Sequence, residues 1–536
     1  MASARESDPA RRPIAFVGDR ILAMDDLRPR PAVVVVVGDR IAATGDRSLL
    51  AGHPHAERVE LGRRWLLPGF VDAHNHLSIA ALHPLWADLT RVRDLDGLQD
   101  AFAAHAAREP DARWLRGFGW NEANGLALDC ADLDALGFDR PVIVAHYTLH
   151  QCAVSSLGLA ELAIGRTTRD PPGGHIARRP DGEPSGILLE RAWSEAHARS
   201  VTAYRDRDRF AELFAARARS LLRDGITCVH DAACSPSAEE VYRRLARAGE
   251  LPISVLAMPH AEGILAGLDA SRLDGPPTGD GDEAFRVGPV KLFADGGAAP
   301  AIDACLAGSR VTTGIAFPDV EKGARAALER GFGVAVHAIG NVGLASALAA
   351  YRACDRLRAR AGCDVRLRIE HAMLASPAQV AEIAALEAIA VVQPGFVHHV
   401  GAAVHGVEFD GETWLPFGSL ARAGVRLAAS SDDPCAFHEP LLTAARGATR
   451  RCASGAIVGP DEALAYEDWL RAYTIGAAYA GGQEHERGSL TPGKRADLVV
   501  LEGDLDPERP PRVAETWVGG RRRFPATAEP DARSLA

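Results

Sequence analysis

Short apolar runs recur through the middle of the chain, each ending in polar residues: "WLLPGFVDAH", "GITCVHDA", "GPVKLFADGG", "GFGVAVHAIG", "VRLRIEHAM", "IAVVQPGF" and "VRLAASSDDP". Runs this short and continuous suit strands buried on both faces. Ala- and Arg-rich stretches with helical spacing, such as "RFAELFAARARSLLRD" and "VEKGARAALER", fall between several of them. Strands separated by helices pair in parallel through crossovers, and this many suit a (β/α)8 barrel better than an open doubly wound sheet. The two ends of the chain differ from the middle. "IAFVGDRILAM" and "AVVVVVGDRIAATG" near the start, and "ADLVVLEGD" and "RVAETWVGGRRR" near the end, read as strands with Gly-containing turns between them. They predict one small sheet domain built from both termini, with the large domain inserted between them.

The first barrel strand and "GITCVHDA" are about 150 residues apart, far beyond an ordinary βα connection. Residues from about 85 to 200 are therefore expected to form a lid-like insertion beside the site. The domain limits that follow are 1–67 and 481–536 for the sheet domain and 68–480 for the barrel.

Composition narrows the function. With 536 residues, 47% hydrophobic and 24% charged, the chain can bury a large core, which excludes disorder as the overall state. A formal charge of -11 has the same sign as phosphate, so no nucleic-acid partner is expected and the substrate should be small. Nine cysteines without a CxxC pair fit neither a disulfide framework nor a zinc ribbon, and read as buried thiols in a reducing cytosol. The first thirty residues lack an apolar signal region, and no apolar run approaches the roughly 20 residues of a membrane span. A cytoplasmic protein without a membrane partner is expected.

The chemistry gathers where strands end. "GFVDAHNHL" puts His74 and His76 two residues apart, so that in a strand both imidazoles share a face and can share a metal. The same spacing at His53 and His55 lies in a polar, Pro-interrupted loop and reads as surface. "VAVHAIG" adds His337, "RIEHAM" His371 and "AASSDDP" Asp432, each at the end of its own strand. Any one of these alone reads as a core histidine or a helix-capping aspartate. Four histidines and an aspartate at one end of several strands are explained together by a metal cluster.

Only three lysines, Lys291, Lys322 and Lys494, stand against 57 arginines. Lys322 reads as a residue of a solvated helix and Lys494 as one in a turn. Lys291 lies between Val290 and Leu292, where a buried ammonium beside a metal would be costly. Either it snorkels outward or pairs with Asp295, or its neutral amine has taken up carbon dioxide to become an anionic carbamate bridging two ions. With two divalent ions, a carbamate, Asp432 and a hydroxide leave a net charge of about +1, which keeps bound water acidic. "GSLTPGKR" has phosphate-loop spacing, but Arg495 replaces the needed Ser or Thr and a strand follows, so it reads as a turn. No G-x-S-x-G elbow offers a serine nucleophile.

Taken in order, "PGFVDAHNH", "VKLFADG", "VAVHAIG", "RIEHA" and "SSDDP", closed by "AYTIGAAYA" and "GSLTPGKRADLVVL", resemble the amidohydrolase superfamily over almost the whole chain. Within it they are most similar to the family 3 branch, which includes N-substituted formamide deformylase-like enzymes. The resemblance implies an α/β fold, a distorted TIM (β/α)8 barrel with a small β-sandwich formed by both termini, and a site for one or two divalent ions, zinc being usual. It implies that His74 and His76 bind the first metal, that Lys291 bridges as a carbamate, and that His337 and His371 bind the second. Asp432 would bind metal and act as base, with Asp433 beside it as the competing carboxylate. Around "LHQCAVSSLGL", Leu149 and Ser155 depart from the family pattern while His150 keeps it, which points to a substrate contact. Trp120 and His399 are the other pocket candidates.

The activity expected is hydrolysis of a carbon–nitrogen bond in an amide, formamide or cyclic amide by a metal-bound hydroxide. The rivals are a mononuclear aminohydrolase that deaminates a heterocycle, which needs no lysine bridge, and a non-catalytic scaffold, which needs no complete ligand set. The partners expected are a small-molecule amide-type substrate and, left open, a second copy in a homodimer.

Overall fold

In the computed structural model, which describes residues 12–201, 206–360 and 365–525, the apolar runs of the middle form eight parallel strands around one axis. These are β1 (Phe70–Asn75), β2 (Ile226–Cys234), β3 (Ser254–Pro259), β4 (Val290–Phe293), β5 (Val334–Ala338), β6 (Leu367–His371), β7 (Ile389–Val392) and β8 (Leu427–Ala429). Nearly every residue in them is buried, so their sequences lack the polar alternation of a half-exposed sheet. The helices between them carry apolar stripes. Arg207–Arg223 buries Phe210, Phe214, Ala218, Leu221 and Leu222 and starts at Asp206, whose carboxylate caps the Arg209 amide.

The barrel is distorted because its ladder breaks twice. Strands β1, β2 and β3 pair in one sheet, whose outer edge is Phe285–Val287, and β4 to β8 pair in another. Isolated bonds close the gaps. His260 Nδ1 lies 3.0 Å from the Lys291 carbonyl, while the Asp432 amide donates to the His74 carbonyl and the His76 amide to the Asp433 carbonyl, both at 2.8 Å.

The termini meet in a β-sandwich. One sheet contains Ile14–Val17, Val33–Val37, Arg40–Gly45 and Glu57–Glu60; the other contains Trp65–Pro68, Leu498–Glu502, Arg512–Val518 and Arg521–Phe524. Phe16, Val34, Val36, Leu66, Leu498, Val500 and Trp517 fill the space between them. Val33 and Val35 are also buried, against Ala15, Val17 and Ala56, so "VVVVV" packs on both faces up to Val35. The predicted strand through "IAFVGDRILAM" stops at Val17. There the chain crosses between sheets, and Leu22 donates its amide to Leu66 of the opposite sheet.

Residues between β1 and β2 build a six-stranded sheet of their own, from Ala87–Asp88 to Pro184–Glu190, followed by the helix Arg191–Ser200. It has a separate core of Leu89, Leu98, Phe102, Leu115, Leu133 and Val144. Lys322 is exposed on its helix, and Lys494 lies in a turn with its ammonium 2.6 Å from Ser489 Oγ. Among the described cysteines, seven are buried thiols as expected, but Cys305 is exposed because its strand, Ile302–Leu306, belongs to a surface hairpin. Cys363 lies outside the described residues. No helix among the described residues is long and apolar enough to cross a membrane.

Candidate metal centre

The six residues singled out as ligands come from five barrel strands, β1, β4, β5, β6 and β8, or the turns that follow them, and the structure brings them to one end of the barrel. Imidazole rings form a continuous group: centroids are 5.4 Å apart for His74 and His76, 4.9 Å for His74 and His371, and 4.5 Å for His371 and His337. Lys291 Nζ lies 3.1 Å from His74 Nε2, and Asp432 Oδ1 is 3.3 Å from Nε2 of both His74 and His76. All six side chains are buried. Ligand atoms of His74, His76 and Asp432 come within 4.8 Å of one another, the tightest grouping of the set.

Tautomers decide what this arrangement can hold. Nδ1 of His74 is 2.5 Å from the Glu370 carboxylate, Nδ1 of His76 is 2.9 Å from the Ala232 carbonyl, and Nδ1 of His371 is 2.8 Å from Gln393 Oε1. Each neighbour is an acceptor, so each Nδ1 carries the proton and each Nε2 presents a lone pair. Among the described residues, Asp432 Oδ1 faces two of those lone pairs and makes no hydrogen bond, and His337 Nε2 is likewise a buried atom without one. Lone pairs converging at about 3.3 Å repel unless a cation lies between them. The donor set therefore fits a divalent ion, with imidazole and carboxylate as its ligands.

Electrostatics agree with that tautomer assignment. Burial, reinforced by Lys291, holds His74 well below its ordinary pKa; burial with the neighbouring imidazoles does the same for His337; and burial brings His371 to about 4. These three imidazoles are thus unprotonated at neutral pH, the form in which a nitrogen can take a metal. Burial lowers Lys291 to about 8, with the Glu370 and Asp432 carboxylates opposing. For Asp432, burial pushes upward, but the contact with His76 and the adjoining His74 and His371 rings outweigh it and hold the carboxyl below its usual range.

Lys291 is fully buried on β4, with its ammonium 4.8 Å from the Phe293 ring centroid, so it does not snorkel. Nor does it pair with Asp295. That carboxylate instead accepts backbone N–H groups from Ala301, Ile339 and Gly340. Asp433 points elsewhere too: Arg217 sits 2.6 Å from its Oδ2, and His438 Nδ1 lies 3.7 Å from its Oδ1. Of the pocket candidates, His150 lies against the cluster, its ring centroid 5.1 Å from that of His337. Trp120 packs in the core of the inserted sheet with its indole N–H on the Leu126 carbonyl. His399 packs at a tilt against Phe437, ring centroids 4.6 Å apart, and accepts that residue's amide.

A supporting layer went unread in the sequence. Arg368 and Glu370 alternate onto one face of β6 as a wholly buried ion pair at 2.8 Å. Arg368 also donates to the Ala73 carbonyl and meets His230 Nδ1, so Glu370 is anchored before it orients His74. Across the gap between β8 and β1, the Asp72 carboxylate accepts from Ser431 Oγ at 2.5 Å, the Ser431 amide at 2.9 Å and Asn75 Nδ2 at 2.9 Å. It locks the turn in which Asp432 adopts a left-handed φ of 60°. The one available signal was charge inside an apolar strand, "RIEH" and "FVDAH".

Comparison with known proteins agrees with this architecture. A family model described as "Amidohydrolase family" matches residues 59–524. N-substituted formamide deformylase of Arthrobacter pascens is 31% identical over 96% of this chain and 99% of its own, and the putative amidohydrolase YtcJ of Bacillus subtilis is 28% identical over 91% and 95%. An uncharacterized metal-dependent hydrolase from Pyrococcus horikoshii shares the fold with a TM-score of 0.71, at 23% identity, covering 92% of this chain and 98% of that one. The chain belongs to the amidohydrolase family, hydrolases of carbon–nitrogen bonds other than peptide bonds.

Proposed function

We propose that the protein hydrolyses the carbon–nitrogen bond of a small amide-type molecule, with an N-substituted formamide as the leading substrate class and cyclic amides next. The observation that carries this reading is the convergence of unprotonated Nε2 atoms on the bare Oδ1 of Asp432, a donor set that needs a cation. His74, His76 and Asp432 would hold one ion and His337 and His371 a second, zinc being the expected metal. Divalent ions bound there would polarise the scissile carbonyl and lower the pKa of water to roughly 7.

The chain's own groups do the rest. Glu370, held by Arg368, keeps the His74 lone pair aimed into the site, and the Ala232 carbonyl does the same for His76. Burial favours the neutral amine of Lys291. Reaction of that neutral amine with carbon dioxide would form one N–C bond and release one proton, turning a neutral group beside the ligands into an anionic one able to bind metal. Asp432 accepts the proton of the attacking water and delivers it to the departing nitrogen, since an amide anion is too basic to leave unprotonated. The C–N bond breaks as that proton arrives, giving a carboxylic acid and an amine, or formate and an amine from a formamide.

The close grouping of His74, His76 and Asp432 alone favours a second reading, a one-metal site without the carbamate. Counting metal in gently purified protein separates the two: two equivalents support the bridged centre, one supports the mononuclear form, and none defeats both. A panel of N-substituted formamides, N-acyl amines and cyclic amides assayed on metal-replete protein then tests the reaction class. Turnover confined to heterocycle deamination would replace it.

A further inference from the structure

Pairing in the inserted sheet places His150 beside Glu190, where the Glu190 amide donates to the His150 carbonyl at 2.7 Å. Their side chains meet as well, Glu190 Oε2 lying 2.6 Å from His150 Nδ1. Glu190 is completely buried, and its backbone has a φ of 53° and a ψ of -122°, a conformation that a non-glycine residue holds only when its surroundings impose it. Its Oε1 accepts the amides of Ala298 and Ala299 at 3.0 and 3.1 Å. With both backbone donors on an acceptor-only carboxylate, the proton in the 2.6 Å contact belongs to Nδ1. The Gly297 amide donates toward the same Nδ1 from 2.9 Å, and the shorter, charge-assisted contact with the carboxylate at 2.6 Å decides which tautomer the ring takes.

The loop after β4 is shaped around this pair. A Cβ on Gly296 would strike Glu190 Oε1, and one on Gly297 would strike the His150 ring at Cδ2 and Nε2. The two glycines that follow Asp295 thus admit a side chain from the insertion to the barrel mouth. There His150 keeps about a tenth of its side chain exposed, packs 5.1 Å from His337, and has no hydrogen bond on Nε2 among the described residues.

We infer that His150 is a specificity-determining residue whose Nε2 accepts the N–H of the scissile amide, and that Glu190 is a positioning residue that holds it in the Nδ1–H tautomer. The inference rests on the amide-hydrolysis reading and adds a substrate class to it: amides that retain an N–H, in preference to N,N-disubstituted ones.

The test compares acetohydroxamate with N-methylacetohydroxamate, two metal-chelating amides that differ at the N–H, by calorimetric titration of zinc-loaded full-length protein. Wild type should bind the N–H form more tightly by about tenfold or more. His150→Asn keeps a donor toward Glu190 but removes the reaching nitrogen, so its ratio should fall to about one with metal content unchanged. In Glu190→Gln the amides of Ala298 and Ala299 hold the new carbonyl and leave its NH2 facing Nδ1. That forces the Nε2–H tautomer, visible in 15N-histidine spectra, and should abolish the preference even if His150→Asn fails to fold. Equal ratios in all three proteins, or no hydroxamate binding to metal-replete wild type, would overturn the inference alone. Less than one equivalent of zinc in wild type would overturn the hydrolytic reading and this inference with it.

Discussion

Lys291 and Asp432 show how burial changes what a residue can do. An arginine in place of Lys291 would keep its charge beside the ligands, since a guanidinium neither loses its proton nor forms a carbamate. With Lys291 fully buried and its amine lowered to about 8, the carbamate reading predicts that Lys291→Ala loses metal and turnover together. A short carboxylic acid filling the vacated space should restore part of both, as read by metal analysis and initial rates. Full activity in Lys291→Ala would reduce the lysine to a packing role. Asp432→Asn is predicted to keep the fold, checked by circular dichroism, while turnover drops by about 10² to 10⁴, the contribution of a positioned acid–base group. Asp433 is poorly suited to substitute, because Arg217 and His438 already engage its oxygens.

Among the elements, the gap between β8 and β1 carries more of the site than any regular strand pair. Asp72 receives four hydrogen bonds there, from Ser431 Oγ, the Ser431 amide, Asn75 and the His74 amide, all within the barrel wall. Asp72→Ala would strand those donors, at a cost of about 2–4 kcal/mol. It should lower the melting temperature and weaken metal binding, because the turn holding Asp432 loses its tie; a variant with wild-type metal affinity would show that the turn is held elsewhere. The strands themselves were legible as apolar runs, and their polar ends marked His74, His76, His337, His371 and Asp432, because buried parallel strands leave few other places for such residues. Glu370 and Arg368 were not, since "RLRIEH" reads equally well as a half-exposed alternating strand. Only closure of the barrel, which puts Arg368 against the Ala73 carbonyl and His230, shows that its charges face inward. Glu190 was hidden for a similar reason: 40 residues separate it from His150, and only the pairing of the inserted sheet brings them together.

Across the whole molecule, burial of titratable groups sets the acid response of the metal-free protein. His74, His197, His230, His260, His337 and His371 are all held below their ordinary pKa chiefly by burial, His260 to about 4. Each stays neutral when folded but gains a proton when unfolded once the pH falls below about 6.5. In that window the unfolded chain binds more protons, so stability falls as the pH drops toward the folded values. Buried carboxyls act in the opposite direction. Asp72 is raised to about 6 and Asp295 to about 7 by burial, so over the same range these two hold protons in the folded state and lose them on unfolding; burial raises Asp231 in the same direction. Ten lowered histidines, these six together with His83, His105, His398 and His399, oppose the raised carboxyls and the raised His438, which decides the net sign. Urea unfolding of metal-stripped protein should therefore give a free energy lower at pH 5 than at pH 7 by on the order of a few kcal/mol. A metal that binds only the folded, unprotonated cluster should steepen that loss, since protonation then competes with the ion as well. An unfolding free energy that stayed flat or rose toward pH 5 in stripped protein would mean that these imidazoles are solvated or paired well enough to charge in place, which would also undo the lone-pair argument for the metal centre.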